Sequence, residues 1–408
     1  MAHRAALALF VAVSGALADE PRDIFAEIDK DLQTLTEISG LQVHRKVAYD
    51  LISRDKVNQF LKDRVKEVTK PEELRAEELT LKKFGLAPQD FDLAKTTVDL
   101  LTEQAAAFYD FRKKKLYITD WTPSATRDAA LVHELAHALA DQNFNLERFI
   151  KQGRKSDDGS LARLAVMEGQ ASWLMSEYLA RKMGQSLAKS REALEFMSRV
   201  MEKGGEQFPV FERAPLYLRE TLVFPYTQGM LFQHAVVEKN GRAGFAEVFR
   251  RPPVSTQQIL HPERYFSSAL PTSPALPSLG WRRGYKHLVE GSIGELDHAI
   301  LLRQYAGKQA ADEVAPHWRG GRYGLLENKG EQRVVLLYVS EWEQPTIARK
   351  FLRLYRDILK KKWKKMEVAS EAEDHIAGIG DDGYFLVRCQ GAVVTSLEGL
   401  RSPEQAMR

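Results

Sequence analysis

Two histidines four positions apart occupy the segment RDAALVHELAHALADQ, residues 127–142. On an α-helix, His133 and His137 project from the same face one turn apart, so both imidazoles can bind one metal ion. Glu134 points about 100° round the helix from His133, which sets its carboxylate beside that metal without occupying a coordination position. The spacing predicts a hydrolytic metal site in which Glu134 is the general base.

The residues around this HExxH pattern support a site, although the pattern alone is short enough to arise by chance. The predicted helix is apolar nearly all round, which indicates burial. An unpaired carboxylate in such a place would cost several kcal/mol, so Glu134 and the histidines need partners. A metal in a polar cleft is favoured over satisfied core histidines. The apolar residues are Ala129, Ala130, Leu131, Val132, Leu135, Ala136, Ala138, Leu139 and Ala140.

A third metal ligand is expected, because a hydrolytic zinc normally has three protein ligands and one open position. Ala140 and Asn143 exclude the HExxHxxGxxH variant, since they stand where its glycine and third histidine would fall. Thirty-one residues after His137, the helix LARLAVMEGQASWLMSEYLA places Glu168 on its apolar face. A zinc ligand is favoured there over the alternative, a buried salt bridge. The stripe comprises Leu161, Leu164, Ala165, Glu168, Ser172 and Met175.

Three neighbouring residues carry further expectations. Glu177 is half a turn out of phase with Glu168 and is predicted to face solvent. Gly169 is expected to let the two ligand-bearing helices approach closely. Asp141, one turn beyond His137, has two open interpretations: a carboxylate that holds a neighbouring group, or a helix C-terminal residue in water.

HELAHALADQ followed by a helical EGQA resembles the gluzincin branch of zinc metallopeptidases, especially exported bacterial members, over about Tyr109 to Tyr178. The resemblance implies zinc held by His133, His137 and Glu168, with Glu134 as the catalytic glutamate. It also implies a strand edge before the motif helix that aligns an extended substrate, which FYDFRKKKLYI resembles.

Such enzymes commonly add a Tyr or His that stabilises the oxyanion. Two residues of the sequence are candidates, Tyr226 in FPYTQG and His261 in STQQILHPERY, each expected in a proline-containing break. The alternatives are a structural tyrosine and a capping histidine.

The chain begins with the features of an export signal. Arg4 precedes an apolar run over 5–13, and Ala16-Leu17-Ala18 is a small-residue cleavage site, so residues 1–18 are predicted to be removed. Cys389 is the only cysteine, which excludes an internal disulfide; it is expected to be a buried, inert thiol on a strand. The metal site must therefore use histidines and carboxylates.

Composition limits the partners. Loss of Arg4 takes the formal charge from +3 to +2, too balanced to indicate nucleic acid. No segment approaches the roughly 20 apolar residues of a membrane span. The basic run Lys360 to Lys365, interrupted by Trp363, is interpreted as a solvated helix face rather than a lipid contact, because the helix already has an apolar inner face. The expected partner is a peptide or protein substrate.

The element pattern predicts a mostly helical α+β protein. A zincin-like catalytic domain over 19–280, with a substrate-aligning strand edge and two ligand-bearing helices, is followed by a small α+β domain over 281–408. The predicted elements are helices within 22–104 broken at Lys70-Pro71 and at 85–88, a hairpin turning near 110–114, helices over 122–141, 161–182, 187–202 and 229–240, an irregular stretch at 266–280, two helical stretches after it, strands RYGLLE and RVVLLYVSE, a helix over 345–363, and strands near Met366 and at 384–395.

The leading hypothesis is an exported zinc metallopeptidase. One alternative is a zinc amidase or esterase acting on non-peptide substrates, since the same site serves those reactions. Another is a non-catalytic binding or scaffold protein with a vestigial zinc site. The presence of Glu134 argues against the second alternative, because a retired site has no need of the base.

Overall fold

A computed structural model describes residues 24–68, 70–104, 107–121, 124–154, 156–204, 208–277, 284–328, 330–331 and 333–407. The expected cleavage site at 16–18, the helix start at Thr122-Pro123 and the domain boundary near Gly280 lie outside these residues. None of the described helices is long and apolar enough to cross a membrane.

The N-terminal region contains the helices α1 (Ile24–Ser39), α2 (Arg54–Val68), α3 (Pro71–Phe84) and α4 (Leu93–Gln104). Pro71 begins α3, and Gly85 ends it with φ 75°, the left-handed conformation that glycine adopts without cost. Both predicted breaks are thus confirmed. The region is not purely helical, however, because it also contains strand β1 (Ala48–Ile52). This strand pairs in parallel with a strand more than sixty residues later, a long-range contact that local pattern does not show.

The predicted hairpin is confirmed as β2 (Ala107–Asp110) and β3 (Lys115–Thr119). The three strands lie in the order β1-β3-β2, so β2 is an edge strand. Alternate residues face opposite sides, and Tyr109 and Leu116 join the core formed with the HExxH helix. Phe108 lies on the other face and packs in a cluster with residues of α2 and α4.

Helices then dominate up to residue 266, in the order α5 (Ser124–Phe144), α6 (Leu146–Gly153), α7 (Asp157–Lys182), α8 (Arg191–Gly204), α9 (Pro209–Arg213), α10 (Leu216–Asn240), α11 (Gly244–Arg250), α12 (Thr256–Leu260) and α13 (Pro262–Phe266). The predicted helices at the positions of α5, α7, α8 and α10 are confirmed. Helix α10 begins thirteen residues earlier than predicted, because Pro225 lies inside it instead of breaking it.

The described residues after 284 form a second region, which contains helices and a seven-stranded sheet. Its elements are β4 (Tyr285–Ser292), α14 (Glu295–Ala306), α15 (Lys308–Val314), β5 (Trp318–Asn328), β6 (Val334–Trp342), α16 (Pro345–Lys362), β7 (Met366–Glu371), β8 (His375–Gly380), β9 (Gly383–Gln390), β10 (Val393–Leu400) and α17 (Pro403–Met407). The strands form an antiparallel sheet in the order β4-β5-β6-β10-β9-β8-β7. The α+β class is confirmed. The strand structure predicted over 384–395 is present as two strands, because Gly391, with φ 59°, turns the chain into the β9–β10 hairpin.

Residues from both sides of position 280 in the sequence pack into one core. Phe84, at the end of α3, makes edge-to-face contacts with Tyr323 of β5 and Tyr338 of β6. One core cluster includes residues of α3, α7, α10, α14, α16 and the large sheet. The N-terminal segment therefore contributes directly to the core beneath the C-terminal sheet.

Helix α16 buries its predicted apolar face, and Cys389 lies buried in β9 as a free thiol whose pKa burial raises. The basic run is exposed at Lys360, Lys361, Lys364 and Lys365. Lys362 departs from the prediction: its side chain is buried and its ammonium binds the buried Glu398. A cation enclosed in this way needs its carboxylate partner.

Candidate metal centre

The packing of α5 against α7 brings two histidines and a glutamate together in the protein core. His133 Nε2 lies 3.1 Å from His137 Nε2, and each of these atoms lies 3.2 Å from Glu168 Oε2. All three side chains are at most 2% exposed. The helical spacing of four placed the histidines together, and the crossing of the two helices supplied the carboxylate.

This cluster fits a metal ion. Tetrahedral coordination at about 2.0–2.1 Å puts ligand atoms roughly 3.3–3.4 Å apart, close to the triangle observed. Glu168 Oε1 is buried and has no hydrogen-bond partner among the described residues, which is costly in a core without a cation. Two neutral imidazoles and a carboxylate suit zinc and other first-row divalent ions. His133, His137 and Glu168 can therefore hold a metal ion.

The electrostatics of the cluster are those of a buried anion beside imidazoles. Burial lowers the pKa of His133 to about 4. Burial opposes charge on His137 too, but the carboxylates of Glu168 and Glu134 outweigh it and raise the pKa of His137. Burial likewise works against the Glu168 carboxylate, yet the histidines, His137 foremost, hold its pKa at about 2. Glu168 thus stays ionised, as a metal ligand must.

Glu134 lies beside the triad and is fixed by the neighbouring sheet. Its Oε2 accepts a 2.7 Å hydrogen bond from the backbone N–H of Tyr109 on β2, and the side chain is fully buried. Its Oε1 has no hydrogen-bond partner among the described residues. Burial raises the pKa of Glu134 to about 8. One oxygen of the predicted base is therefore held by the strand edge, and the other is available to a ligand.

Tyr226 also reaches the site. Its ring lies nearly parallel to the His133 ring, with centroids 5.9 Å apart, and it is 7% exposed. The expectation that it occupies a proline-containing break is wrong, since it lies within the continuous helix α10, directly after Pro225. The long helix, rather than a loop, carries the tyrosine to the metal centre.

His261 is engaged elsewhere. It follows α12, and its Nε2 makes a 2.8 Å contact with Glu295 Oε1, while Nδ1 lies 3.8 Å from Glu263. The Glu295 hydrogen bond raises the pKa of His261. Among the described residues, His261 contacts Glu295 and Glu263 and none of His133, His137 and Glu168. The structure thus brings only one of the two oxyanion candidates to the site.

Two expectations about α7 are corrected. Glu177 is completely buried instead of solvent-facing, because the residues after α7 fold back over it; it accepts hydrogen bonds from Arg181 Nε, Ser186 Oγ and the Leu187 N–H. Gly169 does not serve the contact with α5. A Cβ there would lie 2.1 Å from the carbonyl carbon of Gly229, so it serves the crossing with α10.

Asp141 is neither in water nor bonded to a metal-site histidine. Its buried carboxylate accepts hydrogen bonds from Tyr109 Oη at 3.0 Å and from Lys114 Nζ at 2.8 Å. It therefore holds the hairpin against α5, which corresponds to the first of its two interpretations. The sequence carried no signal for the Tyr109 amide, because backbone contacts depend on how strand and helix are placed.

Comparison with known proteins bears on the C-terminal region alone. A family model described as a domain of unknown function (DUF8575) matches residues 283–407, which include the seven-stranded sheet and none of the metal-site residues. No curated protein matches the chain. No solved structure matches it either.

Proposed function

We propose that the protein is an exported zinc metallopeptidase with a zincin-like catalytic region. The observation that carries the proposal is the triangle of His133, His137 and Glu168 with Glu134 directly beside it. This set contains three protein ligands and a separate carboxylate, the inventory of a hydrolytic rather than a structural zinc site. The order of charge, apolar run and Ala16-Leu17-Ala18 supports export.

Zinc, when bound, would polarise a carbonyl and lower the pKa of water toward about 7. Glu134 would take a proton from the attacking water at Oε1, because its Oε2 is held by the Tyr109 amide. The same carboxyl group then returns the proton to the leaving amine. Burial raises the pKa of Glu134, which favours the protonated carboxyl group that this exchange passes through.

Two other groups would orient the substrate. Strand β2 is the edge of its sheet and all four of its residues are buried, so the site would have to open before an extended peptide could lie along this strand. The position of Tyr226 next to His133 supports a role for its hydroxyl in stabilising the oxyanion. Glu134, Tyr109 and Tyr226 thus surround the metal ligands from α5, β2 and α10.

A second candidate function rests on burial. His133, Glu134, His137 and Glu168 are each no more than 2% exposed. A site enclosed to this degree favours a small substrate, such as a non-peptide amide or ester, unless the cleft opens to admit a polypeptide.

The test is hydrolysis of a mixed quenched-peptide library by the zinc-loaded protein, with a parallel panel of small amides and esters. Cleavage of peptides that is lost on chelation and in Glu134→Gln supports the peptidase. Cleavage of the small panel alone favours the second candidate. If zinc-loaded protein cleaves neither, a binding or scaffold role replaces both.

A further inference from the structure

A second buried acid lies on the same face of α5 as Glu134. Asp141 is seven residues further along, which is two turns and about 10 Å up the helix. Its side chain is completely buried. Both carboxylates therefore face the strand that lies across α5.

Tyr109 of β2 bonds to both acids. Its backbone N–H donates to Glu134 Oε2 at 2.7 Å, and its hydroxyl donates to Asp141 Oδ2 at 3.0 Å. Tyr109 is 4% exposed. A single residue thus ties the strand to the helix at two points, one at the metal centre and one remote from it.

Asp141 is itself held from several sides. Lys114 Nζ lies 2.8 Å from both carboxylate oxygens, the N–H of Leu146 donates to Oδ1 at 3.0 Å, and Arg45 Nη2 lies 3.5 Å from Oδ2. Charge-assisted bonds of this kind fix both distance and direction. The carboxylate is therefore a rigid anchor for the Tyr109 hydroxyl.

The hairpin turn reaches the same carboxylate. Lys114 has φ 55°, a left-handed conformation that non-glycine residues adopt mainly in turns. Its ammonium reaches back from the turn to Asp141. The left-handed residue ends the β2–β3 turn, and its ion pair with Asp141 ties that turn to α5.

We infer that Asp141 is a positioning residue for Glu134: by holding the Tyr109 hydroxyl, it sets β2 over α5 so that the Tyr109 amide fixes Glu134 Oε2. The catalytic consequence rests on the proposed function, whereas the effect on the amide does not. When a catalytic carboxylate is displaced from its place near the substrate, the reaction rate falls and substrate binding changes little.

The experiment uses the whole protein, whose 13 tyrosines are labelled with ¹⁵N. The Tyr109 resonance is assigned by its loss in Tyr109→Phe. In Asp141→Asn we expect the Tyr109 amide to exchange with solvent about tenfold faster. We also expect kcat to fall about tenfold, with KM changed less than about twofold and zinc retained.

The matched control is Asp31→Asn. Asp31 is likewise buried and accepts a hydrogen bond from a tyrosine, Tyr178, but it ties α1 to α7 instead of β2 to α5. Its replacement should lower the free energy of unfolding and leave both kcat and the exchange rate of the Tyr109 amide unchanged. Lys114→Met, at a half-buried position, provides a milder second variant if Asp141→Asn fails to fold.

If the exchange rate of the Tyr109 amide is unchanged in both Asp141→Asn and Lys114→Met, the inference is overturned. An equal increase of that rate in Asp31→Asn would also overturn it. If the wild-type protein has no hydrolytic activity, the proposed function fails, while the amide measurement still decides whether Asp141 positions the strand.

Discussion

The backbones of Gly169 and Gly229 touch where α7 crosses α10. A Cβ on Gly229 would lie 2.2 Å from the Ala165 carbonyl oxygen, so neither helix tolerates a side chain at the crossing. Gly169 follows the metal-site residue Glu168, and Gly229 lies three residues after Tyr226. The crossing therefore sets the distance between Glu168, a candidate metal ligand, and Tyr226.

Gly169→Ala should destabilise the protein by about 3 kcal/mol or more, because overpacking against backbone cannot be relieved by a rotamer change. Denaturant unfolding measures the change. Gly184→Ala serves as a comparison: no atom lies near its Cβ position, and only its φ of 72° opposes a side chain. It should cost about 1 kcal/mol. Equal effects of the two substitutions would contradict the close crossing.

Metal content should distinguish the ligands from the base. His133→Ala and Glu168→Ala are expected to lose zinc, since each removes one of three ligands, whereas Glu134→Gln should retain about one equivalent. Elemental analysis of the purified proteins gives the stoichiometry. Glu177→Gln is the control, because Glu177 is equally buried in α7 but bonds to the segment that follows it. Full zinc occupancy in Glu168→Ala would reject Glu168 as a ligand.

Replacement of Tyr226 should affect turnover alone. Tyr226→Phe keeps the ring beside His133 and removes the hydroxyl, so kcat should fall about 10²-fold while zinc binding persists. His261→Gln should leave kcat near the wild-type value, because His261 binds Glu295 away from the metal centre. A larger loss of kcat in His261→Gln than in Tyr226→Phe would reverse the assignment.

Stability should fall in acid through His298. This imidazole is completely buried between the Gly294 carbonyl at 2.7 Å and the Tyr338 hydroxyl at 2.6 Å, and burial lowers its pKa from 6.5 to about 4. Between those pH values the unfolded chain binds a proton that the folded protein excludes. The free energy of unfolding therefore decreases as pH falls from about 6.5 to 4, by up to roughly 3 kcal/mol from this group.

Urea unfolding at several pH values tests this expectation. His298→Asn can keep a donor toward Gly294 and cannot titrate, so its stability should depend less on pH over the same interval. An identical pH dependence in both proteins would show that His298 is not responsible.

Phe84 should couple the N-terminal region to the C-terminal sheet. It is 1% exposed and packs between Tyr323 and Tyr338, so Phe84→Ala should cost about 3–5 kcal/mol. The near-UV and far-UV circular dichroism signals should disappear in one shared unfolding transition, because the two regions share one core. Phe196→Ala, at a side chain that is 62% exposed, should have little effect. If the unfolding transition of the C-terminal sheet is the same in Phe84→Ala as in the wild-type protein, the coupling is contradicted.

Local pattern was sufficient for the elements that depend on periodicity. The 3.6-residue repeat predicted α5, α7 and the inner face of α16, and alternation predicted the β2–β3 hairpin. The four-residue spacing of His133 and His137 was sufficient to place two candidate metal ligands on one helical face. An inward-facing glutamate in an apolar stripe was enough to single out Glu168.

Tertiary contacts decided the rest. The apolar pattern could not assign β1, which depends on pairing with β3, or show that Pro225 lies within a helix held by its neighbours. The amphipathic phase of α7 pointed Glu177 outward, yet the following segment covers it. A sequence specifies which side of a helix or strand each residue occupies, whereas the element that packs on that side depends on the whole fold. The contacts of Tyr109 with Glu134 and Asp141 are of this second kind, and only the placement of β2 over α5 creates them.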